Sequence, residues 1–181
     1  MIELVRTRRS IRKYTAQPVD RQDLDLLVET LLRAPSSRNR QPWEFVVVDD
    51  AATLLKLSMA KEHGSSFLRD AALGFVICAD SEQSDVWVED CAIAAILVQM
   101  TAQSLGLGSC WIQIRQRQHN ASTSSESYIR ELLGIPASRR VAVIISIGQP
   151  AEARPPVPAS SLQYAKVRHN RYEHKWEPKK D

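Results

Sequence analysis

Residues 91 to 112 read CAIAAILVQMTAQSLGLGSCWI. The segment from about Val86 to Leu105 has the length and spacing of one long helix. Its stretch from Cys91 to Ala102 is apolar almost all the way round, and the small residues Ala92, Ala94, Ala95 and Ala102 permit close approach. A helix of this kind belongs in the centre of a fold or in a subunit interface, not on a wet surface. Gly106 is a natural C-terminal stop, and Gly108 leads into the apolar strand SCWIQI.

Other elements can be read outward from this helix. Asp20 is placed to cap a helix carrying Leu24, Leu27, Val28, Leu31 and Leu32, which should end near Arg33 because Pro35 disfavours helical geometry at Ala34. Trp43 to Val48, WEFVVV, reads as a strand, and Ala51 to about His63 as a second helix. LGFVICA (73–79) and VAVIISI (141–147) are continuous apolar runs, the pattern of strands covered on both faces. Ser127 to Leu133 gives a short helix ending at Gly134. The alternation of helices and strands places the chain in the mixed α/β or α+β class. From Ala151 onward the chain is rich in proline, then polar and aromatic, as expected of an extended arm lying over the body or over a partner subunit.

The 181 residues suffice for one domain with a real core, and the formal net charge of +3 permits an anionic ligand without demanding nucleic acid. Cys78, Cys91 and Cys110 form no Cys-x-x-Cys pair, and His63, His119, His169 and His174 are scattered. Neither a structural zinc site nor a disulfide framework is expected. Reduced thiols and the lack of an apolar leader predict a cytoplasmic protein, and no stretch is long enough to span a bilayer. GxGxxG, P-loop and G-x-S-x-G signatures are missing. The acidic pairs Asp49-Asp50 and Glu89-Asp90 sit where turn or helix-dipole roles are expected.

Two polar stretches remain. RTRRSIRKY (6–14) concentrates Arg8, Arg9, Ser10 and Arg12, whose guanidinium forks and hydroxyl match a compact dianion. Taken alone, the cluster reads first as a solvated basic arm. In APSSRNRQPW (34–43), Pro35 ends a helix and Pro42 opens a strand. Ser36, Ser37, Asn39 and Gln41 then lie in a constrained loop, as ordinary turn residues or as donors and acceptors for a heteroaromatic edge.

Together these stretches carry a resemblance. RRSIRKY resembles the start of the nitroreductase family, flavin-dependent enzymes in which this segment grips the phosphate of FMN. APSSRNRQPWEF, WVEDCAIAAILVQMTAQSLGLGSCWI, and ELLGIP followed by VAVIISIGQPAE are similar to that family's polar loop, central helix with its following strand, and closing strand, in register from about residue 6 to residue 152. The resemblance implies an α+β three-layer sandwich, a central mixed or antiparallel sheet with helices on both sides, in an intertwined homodimer. Residues 1–152 would be one FMN-binding domain and 153–181 the arm. Arg8, Arg9, Ser10 and Arg12 would hold the phosphate and ribityl chain. Pro35, Ser36, Ser37, Asn39 and Gln41 would come from the other subunit or line the isoalloxazine, and Trp111, Ile112 and Gln113 would lie against the flavin.

Gln113 departs from the small residue usual after Trp-Ile, and Arg38 occupies a position often held by a small residue. A C-terminal basic ligand to the phosphate could be Arg154, Lys166, Arg168 or Arg171. Arg115 and Arg117, in an IQIRQRQ strand extension, could face FMN or solvent. The implied activity is hydride transfer from NADH or NADPH to FMN and on to a small nitroaromatic or quinone acceptor, with no protein acid or base required. The alternatives are another reductive reaction on the same fold, a non-catalytic flavin-binding or redox-sensing protein, and a small basic nucleic-acid binder that lacks any recognisable reading module.

Overall fold

The computed structural model describes residues 1–177. The apolar runs form β1 (Trp43–Val48), β2 (Leu73–Asp80), β3 (Gly108–Gln113) and β4 (Arg139–Gly148). These pair in the order β1-β2-β4-β3, and every neighbouring pair is antiparallel. The two runs read as doubly covered, β2 and β4, are the central strands. Phe75, Ile77, Val143, Ile145 and Ile147 face one side, while Val76, Cys78, Val141 and Ile144 face the other. A bulge skips Ala142 between the pairs Ile77–Val143 and Cys78–Val141. The Ala142 carbonyl accepts from the N–H groups of both Ile114 and Arg115, at 3.3 and 3.0 Å, which ends the pairing of β3.

Helices cover both faces. On one lie α1 (Ile2–Thr7), α2 (Arg21–Leu32) and α4 (Trp87–Ser104), with Leu27 and Leu31 packed in one cluster with Ala94, Ala95, Val98 and Ala102. On the other lie α3 (Ala51–Ser58), a 3-10 turn (Ser66–Asp70) and α5 (Ser125–Leu133). The result is the expected three-layer α+β sandwich. The long helix is buried along one side only. Ile93 and Ile96 are exposed at 37% and 42%, beside a half-buried Leu97, and α1 adds exposed Ile2 and Val5. No helix among the described residues is long and apolar enough to cross a membrane.

Several expected boundaries move. The helix from Ala51 stops at Ser58 because side chains capture its last carbonyls: Ser58 Oγ donates to Leu55 and Ser65 Oγ to Ser58, at 2.7 and 2.8 Å. Residues 2–7 are helical, so the stretch read as an arm begins on the last two residues of a helix, Arg6 and Thr7. α5 begins at Ser125 because Ser124 Oγ accepts the Ser127 N–H at 3.0 Å. The arm from residue 151 is exposed and carries a small hairpin, β5 (Arg168–His169) and β6 (Arg171–Lys175), while its last four residues lie outside those described.

The N-terminal segment is fastened along the sheet edge. Ser10 bridges to Ser109 in parallel, and the Ile11 N–H donates to the Ser109 carbonyl at 3.0 Å. Ile11 rests on Gly108, where an added Cβ would lie 2.8 Å from an Ile11 methyl carbon. Tyr14, 9% exposed, donates its hydroxyl to the Ile11 carbonyl at 2.7 Å and meets Ser146 Oγ at 2.8 Å. Substituting Gly108→Ala is expected to lower stability by about 1–3 kcal/mol through overpacking against Ile11. Tyr14→Phe is expected to cost about 1–3 kcal/mol by stranding buried acceptors. Urea titrations of both variants measure these losses.

Candidate functional site

Ile11 and Tyr14 turn into the core, while Arg8 and Ser10 are half-buried and Arg12 is exposed beside them. Ser10 lies against Ser109 of β3, and the next residue is Cys110. Its thiol is held above the ordinary range by burial, against the pull of Arg12, a hydrogen bond with Ser10, and the charges of Arg8 and Arg154. The charges of Arg8 and Arg12 from one segment and of Arg154 from another thus act on the same thiol. Glu152 ties the segments together: Oε1 accepts the Arg12 N–H at 2.7 Å and Oε2 accepts Arg154 Nη2 at 3.1 Å. These bonds, the Arg12 N–H foremost, keep its carboxyl below the usual range. Among the described residues, Arg8, Arg9 and Arg12 enter no ion pair.

Arg9 points elsewhere, donating to the Pro155 carbonyl and lining with Arg154 a cavity of about 210 Å³. The donor set of Arg8, Ser10, Arg12 and Arg154 fits a dianionic phosphate. Of the C-terminal basic residues considered from sequence, Arg154 is the one drawn into this cluster.

β3 is an edge strand, and the alternation that turns the Ser109 carbonyl outward to Ile11 also turns the backbone of Trp111 and Gln113 toward the open edge. The Trp111 indole, 37% exposed, donates to Gln113 Oε1 at 3.0 Å. Gln113 Nε2 donates to the Arg115 carbonyl at 3.0 Å, so this residue acts as a brace along the strand end. The side chain of Ile112 is buried in the core on the α3–α5 face. Arg115 and Arg117 lie beyond the strand, and Arg115 stacks over Trp87 at 5.8 Å.

The polar loop is held in an uncommon backbone. Arg38, Asn39 and Gln41 have φ of 52°, 53° and 49°. Each such non-glycine residue costs on the order of 1 kcal/mol or more and persists only where its surroundings enforce it. The enforcing groups are Ser36, whose Oγ accepts the Gln41 N–H at 2.8 Å, and Asp90, whose Oδ1 accepts the Ser37 N–H at 2.8 Å. Asp90 is 2% exposed in the first turn of α4, and Ser84 Oγ donates to its second oxygen at 3.0 Å. Sequence reasoning gave it only a dipole role. The available signal was an acid at the start of an otherwise apolar helix.

The two polar stretches are not brought together within one chain. The basic segment meets the C-terminal end of α4, where Gln103 Nε2 donates to Thr7 Oγ1 at 3.4 Å. The loop meets the other end, at Asp90. At the rise of an α-helix these anchor points lie about 20 Å apart. The two stretches also flank opposite edges of the sheet, the segment beside β3 and the loop leading into β1. Burial pushes the Cys78 thiol up to about 11 and that of Cys91 to about 12, so neither is a ready nucleophile.

Comparison with known proteins places this arrangement. The family model described as the nitroreductase family matches residues 5–64 and 54–149. The solved structure of an FMN-dependent nitroreductase from Clostridium difficile R20291 superposes with a TM-score of 0.93 at 44% identity, covering 95% of this chain and 100% of that one. A protein from Archaeoglobus fulgidus, provisionally named an NADH dehydrogenase/NAD(P)H nitroreductase, is 35% identical over 84% of this chain and 87% of its own length. The structure of the NADPH:FMN oxidoreductase of Vibrio harveyi, complexed with NAD+, superposes at a TM-score of 0.77 with 26% identity, covering 96% of this chain and 78% of that one. Sequence and fold agree over most of the length, and the chain belongs to the nitroreductase family.

Proposed function

We propose that the protein is an NAD(P)H-dependent FMN oxidoreductase that acts as a homodimer on small acceptors of the nitroaromatic or quinone type. The observation that carries this reading is the division of the polar groups: a basic segment at one end of α4 and a strained polar loop at the other. A twofold pairing along the bare face of α4 sets the cluster of one protomer beside the loop of its partner. That face offers Ile93 and Ile96, with Ile2 and Val5 of α1. Burial of such side chains contributes about 1.5–3 kcal/mol each, enough for the seam to drive association.

The chemistry that FMN supplies when bound is uptake of a hydride from NAD(P)H and its relay to a second substrate in a separate half-reaction. The protein's part is positional. Arg8, Ser10, Arg12 and Arg154 hold the phosphate, and Glu152 keeps the two arginine-bearing segments in place without neutralising Arg8 or Arg12. The outward backbone and indole of β3 present a flat edge to the ring system. Across the dimer, Ser36, Ser37, Asn39 and Gln41 supply polar groups while Arg38 adds a charge at the mouth of the site. Holding donor and acceptor in turn at one face supplies proximity.

The same reading divides the chain at about residue 152, with the exposed Val157, Leu162, Tyr164 and Trp176 of the arm covered by the partner. It also sets the protein in the cytoplasm, supported by three unpaired, buried cysteines. Its partners are small molecules and a second copy of the chain, not nucleic acid.

Three outcomes are expected. The purified protein binds FMN and bleaches anaerobically with NADH or NADPH, and a protein that takes up no flavin contradicts the reading. Arg8→Ala and Arg12→Ala each weaken FMN binding at least tenfold, the loss of a charge-assisted hydrogen bond, while thermal midpoints stay close to that of the parent. Ile96→Asp yields a monomer by sedimentation and loses FMN although its phosphate cluster is untouched. A flavin-loaded monomer would overturn the shared site.

A further inference from the structure

Past β3 the chain does not extend as a strand but folds back against the end of α3. The Arg117 N–H donates to the Ile114 carbonyl at 3.0 Å, with Gln116 between them at φ 58°. The Arg117 carbonyl accepts the Ser125 N–H at 2.9 Å. His119 donates from Nδ1 to the Met59 carbonyl at 2.8 Å, and its ring stacks on Tyr128 at 4.1 Å. Tyr128 in turn donates to the Lys56 carbonyl at 3.0 Å. The turn is thus fixed to both α3 and α5.

This fastening sets Arg117 beside Lys61 and His63 on the wall of a cavity of about 230 Å³ that Glu62 and Gln118 complete. Among the described residues, neither Lys61 nor Arg117 enters an ion pair, and Glu62 is exposed and paired with neither. The Lys61 ammonium is destabilised first by burial and then by the Arg117 charge. Two cations on one wall, with the Glu62 carboxylate paired to neither, repel each other, and an anion seated between them offsets that repulsion. The wall is built from charged and polar residues and the space is small, which suits a phosphate better than an aromatic ring.

The cavity lies at the turn that leaves β3, and that turn is braced to the strand through Arg115, Gln113 and Trp111. FMN carries one phosphate, already matched by Arg8, Ser10, Arg12 and Arg154. A second cationic seat therefore calls for a second phosphate on a molecule that reaches the same ring, which is the chemistry of a nicotinamide dinucleotide. We propose that Lys61 and Arg117 form a separate anion site that seats a phosphate group of the nicotinamide donor, its 2′-phosphate or its pyrophosphate. This inference rests on the reading of the protein as an NAD(P)H oxidoreductase.

Calorimetric titration of the purified dimer with adenosine 2′,5′-bisphosphate and with ADP tests it, with Lys61→Ala, Arg117→Ala and the milder Arg117→Gln as variants. The affinity of at least one probe is expected to fall about tenfold in each variant, with FMN content unchanged and kcat within about twofold of the parent. If the 2′-phosphate is held, KM rises for NADPH alone and only the bisphosphate weakens. If the pyrophosphate is held, KM rises for both donors and ADP weakens. Unchanged affinity for both probes in all variants overturns the proposal, as does loss of FMN from the variants, which would assign the pair to the flavin. The probe titrations read the anion site with or without flavin. Failure of the parent protein to be reduced by either nicotinamide therefore counts against the oxidoreductase reading, while the titrations decide this one.

Discussion

Contact between Ile11 and Gly108 sets the line along which everything else at the basic end of the molecule is placed. Because β3 has no side chain at that point, the N-terminal segment lies flush on the sheet edge. Flush contact permits the Ser109–Ile11 hydrogen bond and the Tyr14 latch on Ser146, which together fix which residues face inward. Ile11 and Tyr14 are committed to the core, and Arg8, Ser10 and Arg12 are left along the sheet edge. Burial keeps the Tyr14 hydroxyl protonated far above its ordinary range, so the latch is insensitive to pH wherever the fold itself survives. A basic stretch with every mark of a solvated arm becomes an ordered row of donors through packing, not through charge.

At the opposite end of α4 the logic is different. The polar loop stores strain at Arg38, Asn39 and Gln41, and the restraint comes from hydrogen bonds to Ser36 and the buried Asp90. A carboxylate almost fully removed from water is tolerable only when its oxygens are occupied, and both are. α4 therefore has two jobs that its composition hides. Its inner side packs the core, and its first turn anchors the polar loop about 20 Å from the point where the basic segment meets the helix.

Much of this was legible in the residues themselves. Continuous apolar runs gave β2 and β4 as central strands, Pro35 and Pro42 bracketed the loop, and Gly106, at φ 76°, marks the stop of α4. The candidate site residues come from the resemblance to a family, motif by motif. What local sequence hides is set by distant partners. β3 stops at Gln113 because of a bulge at Ala142, and α3 stops early because Ser58 and Ser65 intercept its carbonyls. Asp90 reads as a dipole residue until the loop folds over it. The separation of the two half-sites follows from strand order, which places β1 and β3 at opposite edges, and no window of sequence contains that order.

The central claim is that each flavin site is assembled from two chains. Mixed dimers test it most directly. One chain carries Arg8→Ala with Arg12→Ala, the other carries Ser36→Ala with Asn39→Ala, and each alone forms dimers that retain no FMN. After dissociation and random re-pairing, half the dimers are hybrids with one intact site each. Recovery of about one quarter of the parental flavin content is the expected result. A mixture that remains colourless would contradict it and return both halves of the site to a single chain.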